Sequence, residues 1–339
     1  MAAYTVPMGA AGEADDILEL LYDRREGFVS PAELAAAAGG AAAAQRLLAQ
    51  VERRGHRLER SPYGLRLVRP ARPATRLIER GLPVRRVGRS VLCFDEVDST
   101  NDVALAALGR GGQDGLVVLA EHQRRGRGRH GRGWLSPPGQ NVLMTVLLVE
   151  GDADGAAAGG APSAAPLRDE AVTIAAGVAA AEGIETAFAL SCELKWPNDV
   201  LLEGAKTAGV LAEARRQGRV RGLAIGIGIN ANACPQAPVD RPATCLADRL
   251  GHSVERVELV RRVLVSLDGW IARLRAGELA ELHRAFLSRC TMVGRRVTAR
   301  YGGQAYAGLV LDIDPLEGLV VGLDDGMRMH LPAAGTTVE

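Results

Sequence analysis

A basic, glycine-rich segment at residues 123–134 has the composition of an anion-binding loop. Five of the nine residues from 124 to 132 are arginine, four glycines are interspersed with them, and the segment contains no carboxylate. This composition disfavours a regular helix or strand, whereas its backbone N–H groups and guanidinium groups can surround an anion. Apolar runs at residues 116–120 and 141–149 predict buried strands on either side. We therefore expect a mobile basic flap, anchored in the core at both ends, that closes over a small anionic ligand.

An RNA-binding arginine–glycine tail is the alternative interpretation of this segment. Such tails usually belong to long disordered tracts, whereas this segment lies between two predicted strands of a folded domain. The position of the segment therefore favours the small ligand.

Lysine is nearly absent from the chain. Of its 41 basic residues only two are lysine, Lys195 and Lys206. Codon bias explains why lysine is scarce, but not why both lysines lie eleven residues apart inside short polar motifs. Because an ammonium group differs from a guanidinium group in shape, hydration and ease of deprotonation, we interpret both lysines as chemically required.

Five short motifs occur in an order that resembles the biotin–protein ligase family, with approximate spacing that fits from about residue 88 to the C-terminus. The glycine–arginine segment resembles the adenylate-binding loop of that family. The other motifs are Asp-Ser-Thr-Asn at 98–101, Lys-Trp-Pro-Asn-Asp at 195–199, Lys-Thr-Ala-Gly-Val-Leu at 206–211 and Gly-Ile-Asn at 228–230.

The resemblance implies ATP-dependent biotinylation of a carrier-protein lysine through biotinyl-5′-AMP. The expected partner is the biotin carboxyl carrier protein of acetyl-CoA carboxylase, and the expected catalytic residues are Lys206 and Arg129. The residues expected to bind biotin or the adenylate are Ser99, Thr100, Asn101, Gln123, Gly126, Arg127, Gly128, Arg129, Arg132, Trp134, Lys206 and Gly209. The residues expected at the ATP phosphates are Lys195, Asn198, Asp199 and Asn230, with Asp199 contacting Mg²⁺.

Short polar side chains at residues 99–101 suit the ureido ring of biotin, which has one strong acceptor and two donors. The structural alternative is that Ser99 or Thr100 only caps the helix predicted at residues 101–108. Both interpretations stay open on the sequence alone.

The N-terminal elements predict a winged helix-turn-helix at residues 1–70, a domain that the resembling family often carries. Residues 14–23 have a helical apolar stripe, and Ser-Pro-Ala-Glu at 30–33 forms a capping box that begins a second helix. A third helix is predicted from about 41 to 54, followed by strands at 56–60 and 65–68.

The third helix is the expected DNA-reading helix, but it begins with four alanines, which cannot hydrogen-bond to base edges. We expect any DNA contacts to come from its later polar residues, which include Gln45, Arg46, Arg53 and Arg54. A vestigial module and a biotin-dependent transcriptional repressor both remain open.

The expected fold class is α+β. Residues 71–88 form a linker, and residues 89–290 form a catalytic domain of the biotin/lipoate ligase type with a mixed or antiparallel sheet. Residues 291–339 form a small SH3-like β-barrel. Strands at 200–202, 207–215 and 219–229 predict an antiparallel meander, whereas the alanine–glycine run at 151–166 reads as an insertion without a chemical role.

Composition narrows the class of protein further. The net charge of +1 excludes a protein that coats nucleic acid through overall charge, and the five cysteines form no CxxC metal motif. We find no signal peptide and no apolar stretch near the roughly 20 residues that span a bilayer, so we expect a cytoplasmic protein. The resemblance also suggests a homodimer. Two alternative functions are a lipoate–protein ligase and a ligand-sensing repressor without ligase activity.

Overall fold

The computed structural model describes residues 13–69, 71–151, 166–235 and 242–338. Residues 1–12 and most of the insertion expected at 151–166 lie outside these ranges. The helices described are α1 (Glu13–Asp23), α2 (Pro31–Ala38), α3 (Ala41–Arg53), α4 (Thr75–Glu79), α5 (Thr100–Leu108), α6 (Asp169–Phe188), α7 (Leu246–Leu250), α8 (Arg256–Arg275) and α9 (Leu279–Leu287).

The strands described are β1 (Leu58–Ser61), β2 (Gly64–Leu67), β3 (Ser90–Val97), β4 (Leu116–Gln123), β5 (Val142–Gly151), β6 (Glu193–Lys195), β7 (Asp199–Leu202), β8 (Ala205–Gln217), β9 (Val220–Ile229), β10 (Arg296–Tyr301), β11 (Gln304–Asp314), β12 (Gly318–Leu323), β13 (Arg328–Leu331) and β14 (Thr337–Val338).

The N-terminal helices α1, α2 and α3 pack together beside the hairpin β1–β2. The predicted capping box is confirmed: the Ser30 hydroxyl accepts from the Glu33 N–H, and the Glu33 carboxylate accepts from the Ser30 N–H. Helix α2 ends where Gly39 adopts a left-handed conformation, φ 73°. These local signals set the order and lengths of the three helices.

A seven-stranded mixed sheet forms the centre of the molecule, in the order β3-β4-β5-β9-β8-β7-β6. Only β3 and β4 run parallel among these neighbours. The predicted meander is confirmed as β7–β8–β9, with antiparallel pairing throughout.

Helices cover both faces of this sheet. Helix α5 packs on one face against β4, β5 and β9, whereas α6 packs on β8 and β9 and lies beneath α8. In β4, Val117 and Leu119 enter the larger core with α6, while Leu116 and Val118 enter the smaller core with α5. Burial on both faces explains why β4 and β5 are nearly continuous apolar runs.

Helix α6 corrects one sequence expectation. It runs from Asp169 to Phe188, and two acidic residues in its last turns are bound by residues outside the helix. Glu182 accepts from Trp270, and Glu185 pairs with Arg289. The helix is also long and apolar enough to span a membrane, contrary to the expectation that no such stretch exists, but 67% of its most apolar stretch is buried inside the protein.

The segment at residues 71–88 is hydrogen-bonded at both ends to residues of α8 and its N-cap. The Glu255 carboxylate accepts from the Ala71 N–H, and Asp268 accepts from the N–H groups of Arg85, Arg86 and Val87. Helix α8 therefore holds this connecting segment at two points.

The C-terminal strands form a second, antiparallel sheet in the order β13-β12-β11-β10-β14. The short strand β14, which the sequence does not predict, pairs with β10 through Ala299–Val338 and Arg300–Thr337. Residues 336–338, which include this strand, border the site described next.

Candidate active site

A cavity of about 180 Å³ lies between the central sheet, helix α5 and the glycine–arginine flap, residues 123–134. The motifs that are separated in sequence meet there. The predicted residues that line it are Ser99, Thr100, Asn101, Gln123, Arg127, Gly128, Arg129, Arg132, Trp134, Asn198, Asp199, Lys206 and Gly209.

The start of α5 supplies a buried polar corner of the cavity. The side chain of Gln123 accepts both the N–H and the hydroxyl of Thr100, at 2.8 and 3.0 Å. Thr145 from β5 places its hydroxyl 2.6 Å from the Asn101 amide oxygen. Ser99 occupies the N-cap position but makes no side-chain capping bond. Capping therefore does not account for Ser99, which lines the cavity.

Carboxylates outside the flap hold its arginines, although the flap has none of its own. The Arg127 guanidinium binds Asp102 of α5 at 2.8 and 2.7 Å and Glu213 of β8 at 3.1 Å. Glu213 also accepts from Asn101. The hydrogen bonds that Arg127 donates to the Asp102 carboxylate lower the pKa of Asp102 and raise the pKa of Arg127. Arg127 therefore anchors the flap to the polar corner.

The flap folds back on itself as an irregular hairpin. The Gly128 N–H donates to the Arg132 carbonyl at 2.7 Å, and the Trp134 N–H donates to the Gly126 carbonyl at 2.9 Å. A Cβ at position 126 would lie 2.6 Å from the Trp134 carbonyl, so only glycine permits this approach. The predicted Gly126 therefore shapes the flap without lining the cavity.

The indole of Trp134 lies against two glycines of the sheet. A Cβ on Gly228 would lie 2.5 Å from that ring, and one on Gly209 would lie 3.1 Å from it. The Lys206 ammonium group lies 5.5 Å from the ring centroid. The Trp134 Nε1 is buried and has no hydrogen-bond partner among the described residues. The glycines thus let an aromatic side chain of the flap reach the backbone of β8 and β9.

Lys206 lies at the start of β8, beside the turn formed by the Lys-Trp-Pro-Asn-Asp motif at 195–199. Its ammonium group lies 2.6 Å from a carboxylate oxygen of Asp199. The Asn198 amide donates to the Val210 carbonyl at 2.7 Å, which fixes the turn against β8. The cavity therefore contains one lysine and one carboxylate in direct contact.

Arg129 reaches from the flap to the C-terminal segment. Its guanidinium donates to the carbonyls of Ala333 and Thr336. Burial, and then the neighbouring charge of Arg132, lower the pKa of Arg129, while Asp199 opposes that shift. Partly desolvated cations of this kind interact strongly with an anion that enters beside them.

Two predicted phosphate residues do not line this cavity. Asn230 is buried, and its amide donates to the Thr244 carbonyl. Lys195 instead borders a neighbouring cavity that also contacts Asp199, Lys206, Arg295 and Arg296. The four predicted DNA residues are exposed and far along the chain from the cavity. Gln45, Arg46 and Arg53 lie on α3, and Arg54 directly follows it.

The sequence interpretation missed several lining residues, among them Met144, Trp196 and residues 336–338. Met144 and Trp196 read as core residues because they are apolar. The C-terminal residues carry no motif and reach the cavity only through the pairing of β14 with β10.

Comparison with known proteins shows which family the chain belongs to. Residues 93–230 match the biotin/lipoate A/B protein ligase family. The chain is 35% identical over 242 residues to the biotin–[acetyl-CoA-carboxylase] ligase of Paracoccus denitrificans, a match that covers 70% of this chain and 95% of that protein. The chain belongs to the biotin–protein ligase family. A further relative is the bifunctional ligase/repressor BirA of Bacillus subtilis (strain 168), 27% identical over 323 residues, with 92% of this chain and 95% of that protein covered.

Solved members of the biotin–protein ligase family share the fold. A biotin protein ligase mutant from Aquifex aeolicus in complex with biotin superposes with a TM-score of 0.61 at 23% identity, covering 74% of this chain and 98% of that one. The same enzyme in complex with biotin and ATP gives a TM-score of 0.60 at 22% identity, with coverages of 74% and 99%. These structures support the fold of the central and C-terminal sheets.

Proposed function

We propose that this chain is an ATP-dependent biotin–protein ligase that joins biotin to a lysine of a biotin carboxyl carrier protein through biotinyl-5′-AMP. The observation that carries the proposal is the cavity in which the polar corner of α5, the flap and Lys206 meet. The relatives named for biotin–[acetyl-CoA-carboxylase] ligation support it over 70% of the chain.

Adenylate formation brings two anions together, the carboxylate of biotin and the α-phosphate of ATP. The biotin carboxylate attacks the α-phosphorus, the bond to the β-phosphate oxygen breaks, and pyrophosphate leaves. Lys206 would lie between the two anions and lower their repulsion as a point charge. Its contact with Asp199, at 2.6 Å, keeps the ammonium group in place before the substrates enter.

The polar corner suits the ureido ring of biotin. Ser99, Thr100 and Asn101 offer hydroxyl and amide groups within one buried patch, and Gln123 orients Thr100. We assign these four residues to biotin binding, with Trp134 and Gly209 providing an apolar surface next to Lys206.

The flap would close the cavity over the adenylate. Arg129, Arg132 and the backbone N–H groups near Gly128 supply positive charge and donors, while Arg127 keeps the flap attached through Asp102. A closed flap excludes water from the mixed anhydride until a carrier lysine attacks its carbonyl carbon and AMP leaves.

The nucleotide phosphates would extend towards the neighbouring cavity. That cavity is bordered by Lys195, Arg295 and Arg296, and it shares Asp199 and Lys206 with the first. Asp199 is the one carboxylate among the described residues that line the first cavity. This donor set fits Mg²⁺ carried by the phosphates of ATP, which needs one or two protein carboxylates. Bound there, the ion would neutralise phosphate charge, and Asp199 would hold it; Asn230 would act only by supporting the neighbouring backbone.

We further propose three structural units. Residues 1–70 would form a winged helix-turn-helix, joined by a linker at 71–88 to a catalytic domain at 89–290, and residues 291–339 would form an SH3-like barrel. Helices α1 to α3 with the hairpin β1–β2, and the five-stranded C-terminal sheet, support this division. We place the protein in the cytoplasm and propose a homodimer through the central sheet, which sedimentation with and without biotin and ATP would test.

Biotin-dependent repression is a second candidate function, favoured by the match to the bifunctional ligase/repressor of Bacillus subtilis. Arg46 and Arg53 are exposed and lie two helical turns apart on α3, so both can contact one phosphate backbone. In contrast, Arg54 pairs with Asp15. A salt titration of binding to the protein's own operon DNA and to random DNA tests this role, and equal affinity for both would exclude it.

Labelled biotin, ATP and an acceptor carrier domain test the main proposal. We expect the label to appear on the carrier, and to appear as biotinyl-AMP when the carrier is omitted. Transfer of lipoate but not biotin would support the lipoate ligase alternative. Binding of biotin without adenylate formation would support a sensor without catalysis.

A further inference from the structure

Two cysteines and an aspartate converge outside the proposed active site. The Sγ atoms of Cys234 and Cys245 and a carboxylate oxygen of Asp248 all lie within 4.8 Å of one another. The Cys234 thiol donates to Asp248 at 3.1 Å. Because Asp248 lies three residues after Cys245, on the first turn of α7, both side chains are on the same side of the chain.

Hydrogen bonds fix both segments that carry these side chains. The Asn141 amide oxygen accepts the N–H groups of residues 231–233, directly before Cys234. On the other side, the Leu246 N–H donates to the Asn230 carbonyl, directly after Cys245. The three donor atoms therefore meet on a preformed scaffold and do not depend on a chance arrangement of surface side chains.

The cluster contains two thiols and one carboxylate, with no cation among the described residues. Among the residues that the structure describes, Asp248 forms no ion pair, and the neighbouring Arg249 binds Thr244 and Glu203 instead. A group of donors that repel one another when ionised is stabilised by a positive ion between them.

We propose that Cys234, Cys245 and Asp248 bind a thiophilic divalent cation of the zinc class. Two sulfur ligands and one carboxylate are a ligand set that Zn²⁺ accepts in tetrahedral geometry, with water in the fourth position. Cys245 is 1% exposed and Asp248 is exposed, so the ion would be anchored from the protein interior and would keep its water on the solvent side. Each thiol gives up its proton when it binds the ion.

The ion would join Cys234 to Cys245 next to the proposed active site. The Lys206 backbone is hydrogen-bonded to both Pro242 and Thr244, which directly precede Cys245. Occupancy of the site should therefore stabilise residues 242–245 and the start of β8. This proposal is independent of the biotin ligase activity, because it concerns residues that do not line the cavity.

Cobalt titration of the full, reduced chain tests the site, since Co²⁺ replaces Zn²⁺ and reports thiolate ligation by a near-ultraviolet charge-transfer band. We expect one Co²⁺ per chain, displaced by Zn²⁺. The Cys234→Ser and Cys245→Ser variants should each weaken or lose the band, whereas Cys290→Ser, a change at a partly buried cysteine outside the cluster, should retain it.

The Asp248→Asn variant keeps the proposal testable if a cysteine variant does not fold, because this side chain is exposed. We expect it to lower the affinity for Zn²⁺, measured by competition with a chromophoric chelator, by roughly tenfold or more. Two results would overturn the proposal. The first is a reduced chain that shows no thiolate band. The second is a Cys234–Cys245 disulfide that forms in air in a chain that binds no cobalt when reduced.

Discussion

Replacing Lys206 with methionine removes the positive charge of the proposed adenylation site and keeps most of the aliphatic side chain. The Lys206 side chain is 30% exposed, and its ammonium group lies 2.6 Å from Asp199 and 5.5 Å from the centroid of the Trp134 ring. No other lysine lines the cavity among the described residues. The substitution therefore tests the role of a single charge.

The expected loss of activity is much larger than the loss of stability. A unit charge about 4 Å from an anion contributes about 4 kcal/mol at an effective dielectric constant of about 20. Loss of one preorganised electrostatic group typically lowers kcat by about 100-fold to 1000-fold. The partly exposed ion pair with Asp199 contributes only about 1 kcal/mol to folding.

Single-turnover formation of biotinyl-AMP from labelled biotin and ATP measures the loss of activity, and thermal unfolding measures the loss of stability. We expect Lys206→Met to lose adenylation by at least about 100-fold with a small change in Tm. Arg215→Met removes a cation from the exposed end of the same strand and serves as the control. Adenylation at the wild-type rate in Lys206→Met would refute the assignment.

Three further predictions concern Arg129 of the flap, Gly228 of β9 and the buried His56 that follows α3. Arg129→Gly should release biotinyl-AMP, because it removes the contacts to the C-terminal segment, and free adenylate after rapid filtration should rise; unchanged retention would reject the clamp. Gly228→Ala should displace Trp134, since its Cβ would lie 2.5 Å from the ring, and should raise the KM for biotin. Gly27→Ala, at a glycine with open space and no left-handed backbone, is the control, and equal effects would argue against the ring contact. Burial, the largest cause, lowers the pKa of the His56 imidazole from 6.5 to about 4. On acidification the unfolded chain therefore binds a proton at a higher pH than the folded chain does, and the free energy of unfolding should fall by about 3 kcal/mol from pH 6.5 to 4. Chemical unfolding of His56→Phe should show a weaker pH dependence, and an identical one would contradict this reasoning.

Elements with strong local signals could be predicted from the sequence. The capping box at Ser30 and Glu33 forms as expected, because its hydrogen bonds link residues three positions apart. The meander β7–β8–β9 follows from consecutive strand segments that are joined by short glycine-containing turns. The motifs of the cavity could be predicted because the same residue types recur in a known order.

Contacts between distant parts of the chain could not be predicted in this way. The carboxylates that hold the flap come from Asp102 and Glu213, and the residues that meet Arg129 lie more than 200 positions away. Short elements such as α7 and β14 have no periodicity that would reveal them, because tertiary contacts stabilise them. The convergence of the possible metal ligands Cys234, Cys245 and Asp248 could not be predicted for the same reason.

The most direct test of the central claim is a crystal structure with a non-hydrolysable analogue of biotinyl-AMP. Our account predicts that the ureido ring lies against Ser99 and Thr100. It also predicts that the linkage between biotin and AMP lies within hydrogen-bonding distance of Lys206, with the flap closed through Arg129. An analogue bound elsewhere, with the cavity between α5 and the flap empty, would contradict it.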